Sequence, residues 1–194
     1  DAHRNFYFYG AVPNDFMDCE VSNLCSFNLK RHIKNKHKRI AAVFNTDDHN
    51  KDGQHWIAFY VDVDGENLDG NPGIYYFDSY GREPGENIQK LIDKILGQAK
   101  KMNLDMKYLY NDHQYQKKGA ECGMYAIHFI KQMLKGVSFT ELLNSSNLTD
   151  DMMVNLRDAD KGGYLLGFHV MKGGKLIKKK KKKNKKKKKK TKKR

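Results

Sequence analysis

The distribution of positive charge most constrains how this chain can fold. Seventeen of its 37 Lys and Arg residues lie in residues 172–194, which contain no acidic residue. Such a segment cannot bury enough apolar surface to offset the entropy of ordering it, so we expect a disordered poly-Lys tail there. The 20 cations left in residues 1–171 face 23 acids, which gives a net charge of −3. The sequence therefore predicts one near-neutral domain over residues 1–171.

The apolar pattern within this domain indicates both strands and helices. Short β-branched and aromatic runs predict strands at 40–44, 55–62, 74–77 and 106–110, and the second and third are expected to pair as a hairpin. Helical spacing predicts helices at 86–102, 139–143 and 149–156, and an apolar run at 122–134 predicts a buried helix. Residues 11–39 are expected to be irregular or weakly helical, and the aromatic segment 6–10 to dock on the domain.

Three cysteines, Cys19, Cys25 and Cys122, are too few and too odd in number for a disulfide framework. We therefore expect a reducing compartment, in which a free thiol stays active, with Cys19 and Cys25 packed in the core. No apolar run approaches the ~18 residues of a membrane span, so no membrane partner is expected. The clusters 47–49 and 62–64 fit no standard ligand spacing, so no metal site is expected.

Cys122 lies where a glycine-containing loop, residues 117–121, meets the predicted buried helix. The N-terminus of a helix presents free N–H groups and partial positive charge, and both stabilise a thiolate. The N–H of Cys122 itself could also hold an oxyanion. Taken alone, a buried structural cysteine explains this residue equally well.

Three further residues carry side chains that a thiolate enzyme needs. His55 opens a predicted strand and could act as a general base, or it could be a satisfied histidine at a strand end. Asp78 follows the neighbouring strand, where its carboxylate could fix an imidazole tautomer or merely cap a turn. Gln116, six residues before Cys122, could donate to an oxyanion or be a solvated loop residue.

Three segments carry these residues together with characteristic neighbours. They are Gly53-Gln54-His55-Trp56, Tyr76-Phe77-Asp78-Ser79-Tyr80-Gly81, and Gln116-Lys117-Lys118-Gly119-Ala120-Glu121-Cys122-Gly123-Met124-Tyr125. In composition, order and interval they resemble the ubiquitin-like-protein-specific (SUMO) protease family and the related adenovirus protease. The resemblance covers roughly residues 6–166 and is greatest to the compact processing proteases of large double-stranded DNA viruses.

The resemblance implies an α+β cysteine-protease fold, with a central mixed β-sheet flanked by helices and the nucleophile at the N-terminus of a buried helix. It implies Cys122 as nucleophile, His55 as its base and Asp78 as the acid that orients the base. The Gln116 amide and the Cys122 N–H would then stabilise the oxyanion.

The resemblance also implies a substrate. Relatives of this kind mature viral structural proteins, so we expect cleavage after small residues, as in Gly-Gly-x, within viral precursor proteins. Trp56 and Gly123 would line the narrow channel for the two glycines. No cofactor is required, although a polyanion such as DNA is a candidate activator. We expect a monomer located in the virion and the host cytoplasm, with the nucleus as an alternative.

Other functions remain open on the sequence alone. The same residues would serve a protease that removes ubiquitin or SUMO-like modifiers, or an acyltransferase like some bacterial effectors. A non-enzymatic protein could instead bind nucleic acid through the tail, which would contact phosphates and read no bases. The lysines expected to do so are Lys178, Lys179, Lys180, Lys181, Lys182, Lys183, Lys185 and Lys186.

Two Gly-Gly pairs, Gly162-Gly163 and Gly173-Gly174, occur near the end of the predicted domain. Glycine turns are the ordinary interpretation of such pairs. Self-processing after Gly174, which would release most of the tail, is the alternative.

Overall fold

The computed structural model describes residues 5–68, 70–159, 170–172 and 175–177. Its centre is a sheet of five strands: β1 (Phe6–Val12), β2 (Arg39–Asn45), β3 (Trp56–Asp62), β4 (Gly73–Phe77) and β5 (Lys107–Tyr110). They are hydrogen-bonded in that order. The outer pairs β1–β2 and β4–β5 are parallel, whereas β2–β3 and β3–β4 are antiparallel. The sheet is therefore mixed, and the predicted α+β fold class is confirmed.

Helices cover both faces of this sheet. The described helices are α1 (Leu29–Lys34), α2 (Glu86–Lys100), α3 (Cys122–Leu134), α4 (Phe139–Leu143) and α5 (Asp150–Ala159). The four predicted strands are confirmed as β2 to β5, to within one residue at each end, and the predicted hairpin is β3–β4. The predicted helices correspond to α2, α3, α4 and α5, of which α3 and α4 have the predicted bounds.

The alternation of side-chain direction along β3 explains why an apolar cluster packs on each face of the sheet. Successive side chains of a strand point to opposite faces. Ile57, Phe59 and Val61 pack in the cluster that contains the apolar face of α2. Ala58 and Tyr60 pack in the cluster that contains α3. A strand that is buried on both faces has apolar residues at successive positions, which is why the sequence of β3 is an almost continuous apolar run.

The strand directions bring several loops to one edge of the sheet. Val12 pairs with Phe44, Asn45 with Trp56, and Tyr76 with Tyr110. As a result β1, β2, β4 and β5 all end at this edge, and β3 begins there. We call it the catalytic edge, because every candidate site residue described below lies on it or on the loop and helix that follow β5.

The aromatic segment 6–10 does more than dock on the domain. It is part of β1, the edge strand that pairs in parallel with β2. Its aromatic side chains alternate between the two cores: Phe6 and Phe8 pack toward α3, and Tyr7 and Tyr9 pack on the α2 side. This period of two is the signature of a strand.

The expectation that Cys19 and Cys25 are free core residues is wrong. They form a disulfide, with 5.2 Å between their Cα atoms. Turns after β1 lead into a short 3-10 helix (Asn23–Ser26), which places the two side chains together. Cys19 is exposed and Cys25 is buried. An odd number of cysteines excludes complete pairing but leaves one pair free to form.

The predicted boundary between domain and tail falls within a small antiparallel pair, β6 (Val170–Lys172) and β7 (Lys175–Ile177). The phosphate-binding lysines predicted at 178–186 and both Gly-Gly pairs lie outside the described residues. Among the described helices, none is long and apolar enough to cross a membrane. Within the described residues, no group of three or more His, Cys, Asp or Glu side chains could hold a metal ion.

Candidate active site

Cys122 is the first residue of α3, and it is a free cysteine that is 8% exposed. The helix is apolar on almost every side and is buried against β3, so its first turn is held firmly against the sheet. The thiol therefore lies at the positive end of a helix dipole, where negative charge on sulfur is stabilised.

His55 and Asp78 meet across the start of β3 and the end of β4. Nε2 of His55 lies 2.6 Å from Oδ1 of Asp78, and both side chains are buried. A carboxylate accepts a hydrogen bond from the Nε2–H group, so the lone pair of the neutral ring lies on Nδ1. Nδ1 makes no hydrogen bond with any residue that the structure describes. It is the ring nitrogen left to exchange a proton with the Cys122 thiol.

The ionisation of His55 follows from these neighbours. Burial alone would lower the pKa of His55, because a charged imidazolium loses hydration. Interaction with the Asp78 carboxylate and with the Cys122 thiol outweighs burial and raises the pKa of His55 to about 9. The ring of Tyr80 also lies against the imidazole, with 4.6 Å between ring centroids. Near neutral pH the site therefore favours an imidazolium beside the thiol.

Asp78 is itself held by a residue that sequence reasoning missed. Oδ1 of Asn111 accepts a hydrogen bond from the Asp78 N–H at 2.9 Å, and its Nδ2 donates to the Asp78 carbonyl at 2.7 Å. Asn111 follows β5 and is 1% exposed. The Tyr80 N–H donates to Oδ1 of Asp78 at 2.8 Å, which fixes the carboxylate. A polar residue directly after a strand that ends at the catalytic edge was the available signal.

Gln116 is oriented by Ser79, a second partner that sequence reasoning did not assign. The Ser79 hydroxyl donates to Oε1 of Gln116 at 2.8 Å. The Ser79 carbonyl accepts from the Gln116 N–H at 2.9 Å, so the two residues are joined twice. Nε2 of Gln116 donates to the Gly119 carbonyl at 3.1 Å. One amide hydrogen remains for an oxyanion, and the direction of the amide is fixed.

The loop between Gln116 and Cys122 is held by Asp150. One carboxylate oxygen accepts from the N–H groups of Lys117 and Lys118, at 3.0 and 3.1 Å. The other accepts from the hydroxyl of Tyr125 on α3 at 3.0 Å. The sequence predicted Asp150 only as part of a helix N-terminus; in the structure its carboxylate joins α5 to the loop between Gln116 and Cys122.

Glu121 places a buried carboxylate next to the nucleophile. It is 6% exposed, and its Oε1 forms an ion pair with Nη1 of Arg157 on α5. An uncompensated acid at this position would oppose a thiolate on Cys122 by like-charge repulsion. The Arg157 guanidinium offsets that effect, and it ties α5 to the start of α3.

Trp56 and Gly123, the predicted channel residues, are both buried, and Gly123 directly follows Cys122 in the chain. Trp56 packs in the same cluster as Cys122 and is 6% exposed. Its indole Nε1 has no hydrogen-bond partner among the described residues. Gly123 is buried in the first turn of α3. All six predicted residues, His55, Trp56, Asp78, Gln116, Cys122 and Gly123, thus belong to one region of the fold.

Sequence comparison places this arrangement in a known family. The model of the YopJ serine/threonine acetyltransferase family matches residues 11–192. The chain belongs to this family. The match includes every candidate site residue, from His55 to Gly123. The YopJ-family chain is also similar to viral proteins that are named for proteolysis.

A protein of Acanthamoeba polyphaga mimivirus named as a thiol protease is 38% identical over 145 residues, which cover 74% of this chain and 46% of the relative. The SUMO-1 cysteine protease of African swine fever virus is 29% identical over 85 residues, which cover 43% and 31% of the two chains. The predicted resemblance to viral proteases of this type is confirmed. The YopJ-family chain spans about half the length of these curated relatives or less.

A solved structure supports the fold. A crystal structure of the African swine fever virus protease superposes with a TM-score of 0.65 at 23% identity, over 79% of this chain and 58% of that one. At this identity the likeness concerns the architecture: a mixed sheet with helices on both faces.

Proposed function

We propose that this YopJ-family protein is a cysteine protease that uses Cys122, His55 and Asp78. The buried His55–Asp78 pair beside a free cysteine at a helix N-terminus carries the proposal. The names of the mimivirus and African swine fever virus relatives support the same chemistry. The residue order and the Ser79–Gln116 contact are consistent with an oxyanion hole.

In the proposed reaction the proton of Cys122 resides on His55, and the thiolate of this thiolate–imidazolium pair attacks the carbonyl carbon of the scissile bond. The oxyanion accepts hydrogen bonds from the Gln116 amide and the Cys122 N–H. As the C–N bond breaks, the imidazolium gives its proton to the leaving amine. Water, deprotonated by His55, then hydrolyses the thioester and restores the thiol. Asp78 keeps the Nε2 proton in place throughout.

We further propose that the scissile bond follows Gly-Gly within viral structural precursors. Small residues suit a channel lined by Trp56 and Gly123, because Trp56 is buried in the same apolar cluster as Cys122 and Gly123 directly follows Cys122. Action on a ubiquitin-like modifier, in keeping with the name of the African swine fever virus protein, is the alternative substrate. Location in the virion and host cytoplasm, a monomeric state and activation by a polyanion stay predictions.

Acyl transfer is a second candidate, because the matched family is described as a serine/threonine acetyltransferase. The same cysteine would accept an acyl group as a thioester. The hydroxyl of a serine or threonine would then take the place of water, with His55 removing its proton. The two functions share an acyl-enzyme and differ in the acyl donor and acceptor.

The test is cleavage of a fluorogenic peptide that ends in Gly-Gly before the reporter, by the purified chain, with and without DNA. Cys122→Ala should abolish turnover, whereas Cys19→Ala with Cys25→Ala, which removes the disulfide, should keep it. Cleavage that survives Cys122→Ala would refute the proposal. A chain that transfers an acyl group to a Ser- or Thr-containing protein, detected as added mass, without hydrolysing any peptide, would establish the second candidate.

A further inference from the structure

A cavity of about 280 Å³ opens at the catalytic edge, on the side of β1 and β2. Trp56 forms one of its walls, and the loop that follows β2 supplies the acidic residues Asp47 and Asp48. Trp56 also packs in the cluster that contains Cys122, and it is the neighbour of His55 in the chain. Trp56 therefore belongs both to the lining of this cavity and to the apolar cluster that contains the nucleophile.

Of the two carboxylates that line the cavity, one has no ion-pair partner among the described residues. Asp48 is paired with Lys51 at 3.0 Å, and His49 with Asp15 at 2.5 Å. The carboxylate of Asp47 forms no ion pair and accepts no hydrogen bond among the described residues. Lys51 lies near enough for Asp47 to contribute to its raised pKa, although Asp48 dominates that effect. The cavity thus keeps a net negative charge.

The backbone of Asp47 is fixed although its side chain is uncommitted. Its N–H donates to Oδ1 of Asn45 at 2.8 Å, and its carbonyl accepts from the Asn14 N–H at 2.8 Å. Asn45 is in turn packed against Gly53, where any side chain would collide with it. A carboxylate on a rigid backbone loses little entropy when it binds a cation.

Trp56 supplies the second half of a site for a cation. An indole face attracts Lys or Arg side chains, and the attraction is larger where water is displaced. The indole Nε1 is buried without a partner among the described residues, and a substrate carbonyl would satisfy it. A carboxylate, an indole face and a buried N–H donor together suit a basic residue in an extended peptide.

We propose that this cavity binds the Lys or Arg side chain that immediately precedes Gly-Gly in the substrate, with Asp47 as its counter-ion and Trp56 as its wall. The proposal rests on the proposed protease function. In an extended peptide the two glycines span roughly 7 Å, so the residue before them lies next to the channel that Trp56 walls. Both Gly-Gly pairs of this chain have the expected sequence: Lys161-Gly162-Gly163 and Lys172-Gly173-Gly174.

The test compares kcat/KM for three fluorogenic peptides, X-Gly-Gly with one reporter, where X is Lys, norleucine or Glu. Norleucine matches the lysine chain without its charge. The wild-type enzyme should prefer Lys over norleucine by about tenfold at low salt, as expected for a cation that meets both a carboxylate and an indole. Glu should be the poorest substrate, and 1 M salt should reduce the differences.

Two substitutions separate the proposed role from a structural one. Asp47→Asn should bring the Lys and norleucine rates to within about twofold, and Asp47→Lys should make Glu the preferred residue. Asp105→Lys, at an exposed site before β5, makes the same charge change at the opposite edge and should leave the preference unchanged.

The outcomes distinguish the basic-residue site from the protease function. Equal rates for all three peptides, or an Asp47→Lys enzyme that slows all of them alike, would overturn the basic-residue site and leave the protease function standing. No cleavage of any Gly-Gly peptide by the folded chain would overturn both.

Discussion

Replacing Asp78 by Asn isolates what the carboxylate does for His55. Asn keeps the size of the side chain but removes the negative charge of the carboxylate, whose Oδ1 lies 2.6 Å from Nε2 of His55. The pKa of His55, about 9 with Asp78 present, should then fall, because burial continues to lower it and only the thiol still raises it. We expect a decrease of at least about 1 unit, equivalent to roughly 1.4 kcal/mol.

The assay is the pH dependence of kcat/KM on a Gly-Gly peptide. The wild-type enzyme should lose activity as pH rises through about 9, where the imidazolium loses its proton. In Asp78→Asn this basic limb should move to lower pH. The maximal rate should also fall by about 10²–10⁴, since the imidazole no longer has one enforced tautomer.

The matched control is Asp112→Asn, which removes the same charge from an exposed position on the loop after β5. Its basic limb and its rate should match the wild type. A limb that stays at the wild-type pH in Asp78→Asn, or one that moves equally in the control, would refute the assignment of this pKa to the buried pair.

Four more predictions concern single residues. Ser79→Ala removes the hydroxyl that orients Gln116, so kcat should fall about fivefold with little change in KM; an unchanged kcat would exclude that role. Gly53→Ala should lower the free energy of unfolding in urea by about 1–3 kcal/mol, because φ is +81° and Cβ would meet the Asn45 side chain. Gly97→Ala, within α2 and facing open space, should raise it by about 0.5–1 kcal/mol. The pKa of His55 is raised from 6.5 to about 9 in the folded state, so protonation of His55 should stabilise the fold fully below pH 6.5 and no longer do so once the pH has passed about 9. In urea titrations over this pH range, His55→Gln should remove the corresponding decrease in the free energy of unfolding.

Much of the fold could be predicted because its signals are local. Strands β2 to β5 are short runs of β-branched and aromatic residues, and α3 is apolar on almost every side, so each element is encoded in its own segment. β1 was missed as a strand, although Phe6, Tyr7, Phe8 and Tyr9 alternate between the cores. Its partner, β2, lies about 30 residues away, and a parallel edge strand leaves no turn signal between the two.

The residues of the candidate site also divide into those that the sequence predicts and those that only the structure reveals. His55, Asp78, Gln116 and Cys122 stand out because each has distinctive neighbours in the sequence. Asn111, by contrast, is an ordinary polar residue until β5 pairs with β4 and brings it within 2.9 Å of the Asp78 N–H.

The sequence by itself predicted the α+β class, which the structure confirms, and the four candidate catalytic residues, while the separation of a near-neutral domain from a lysine tail stays a prediction. These features depend on composition, on periodicity and, for the catalytic residues, on three short motifs that resemble the SUMO-protease family. Only the tertiary structure decided which nitrogen of His55 meets Asp78, that Asp150 holds the loop between Gln116 and Cys122, and that Cys19 pairs with Cys25. Hydrogen bonds and disulfides depend on distances of a few ångströms between atoms, and packing sets those distances.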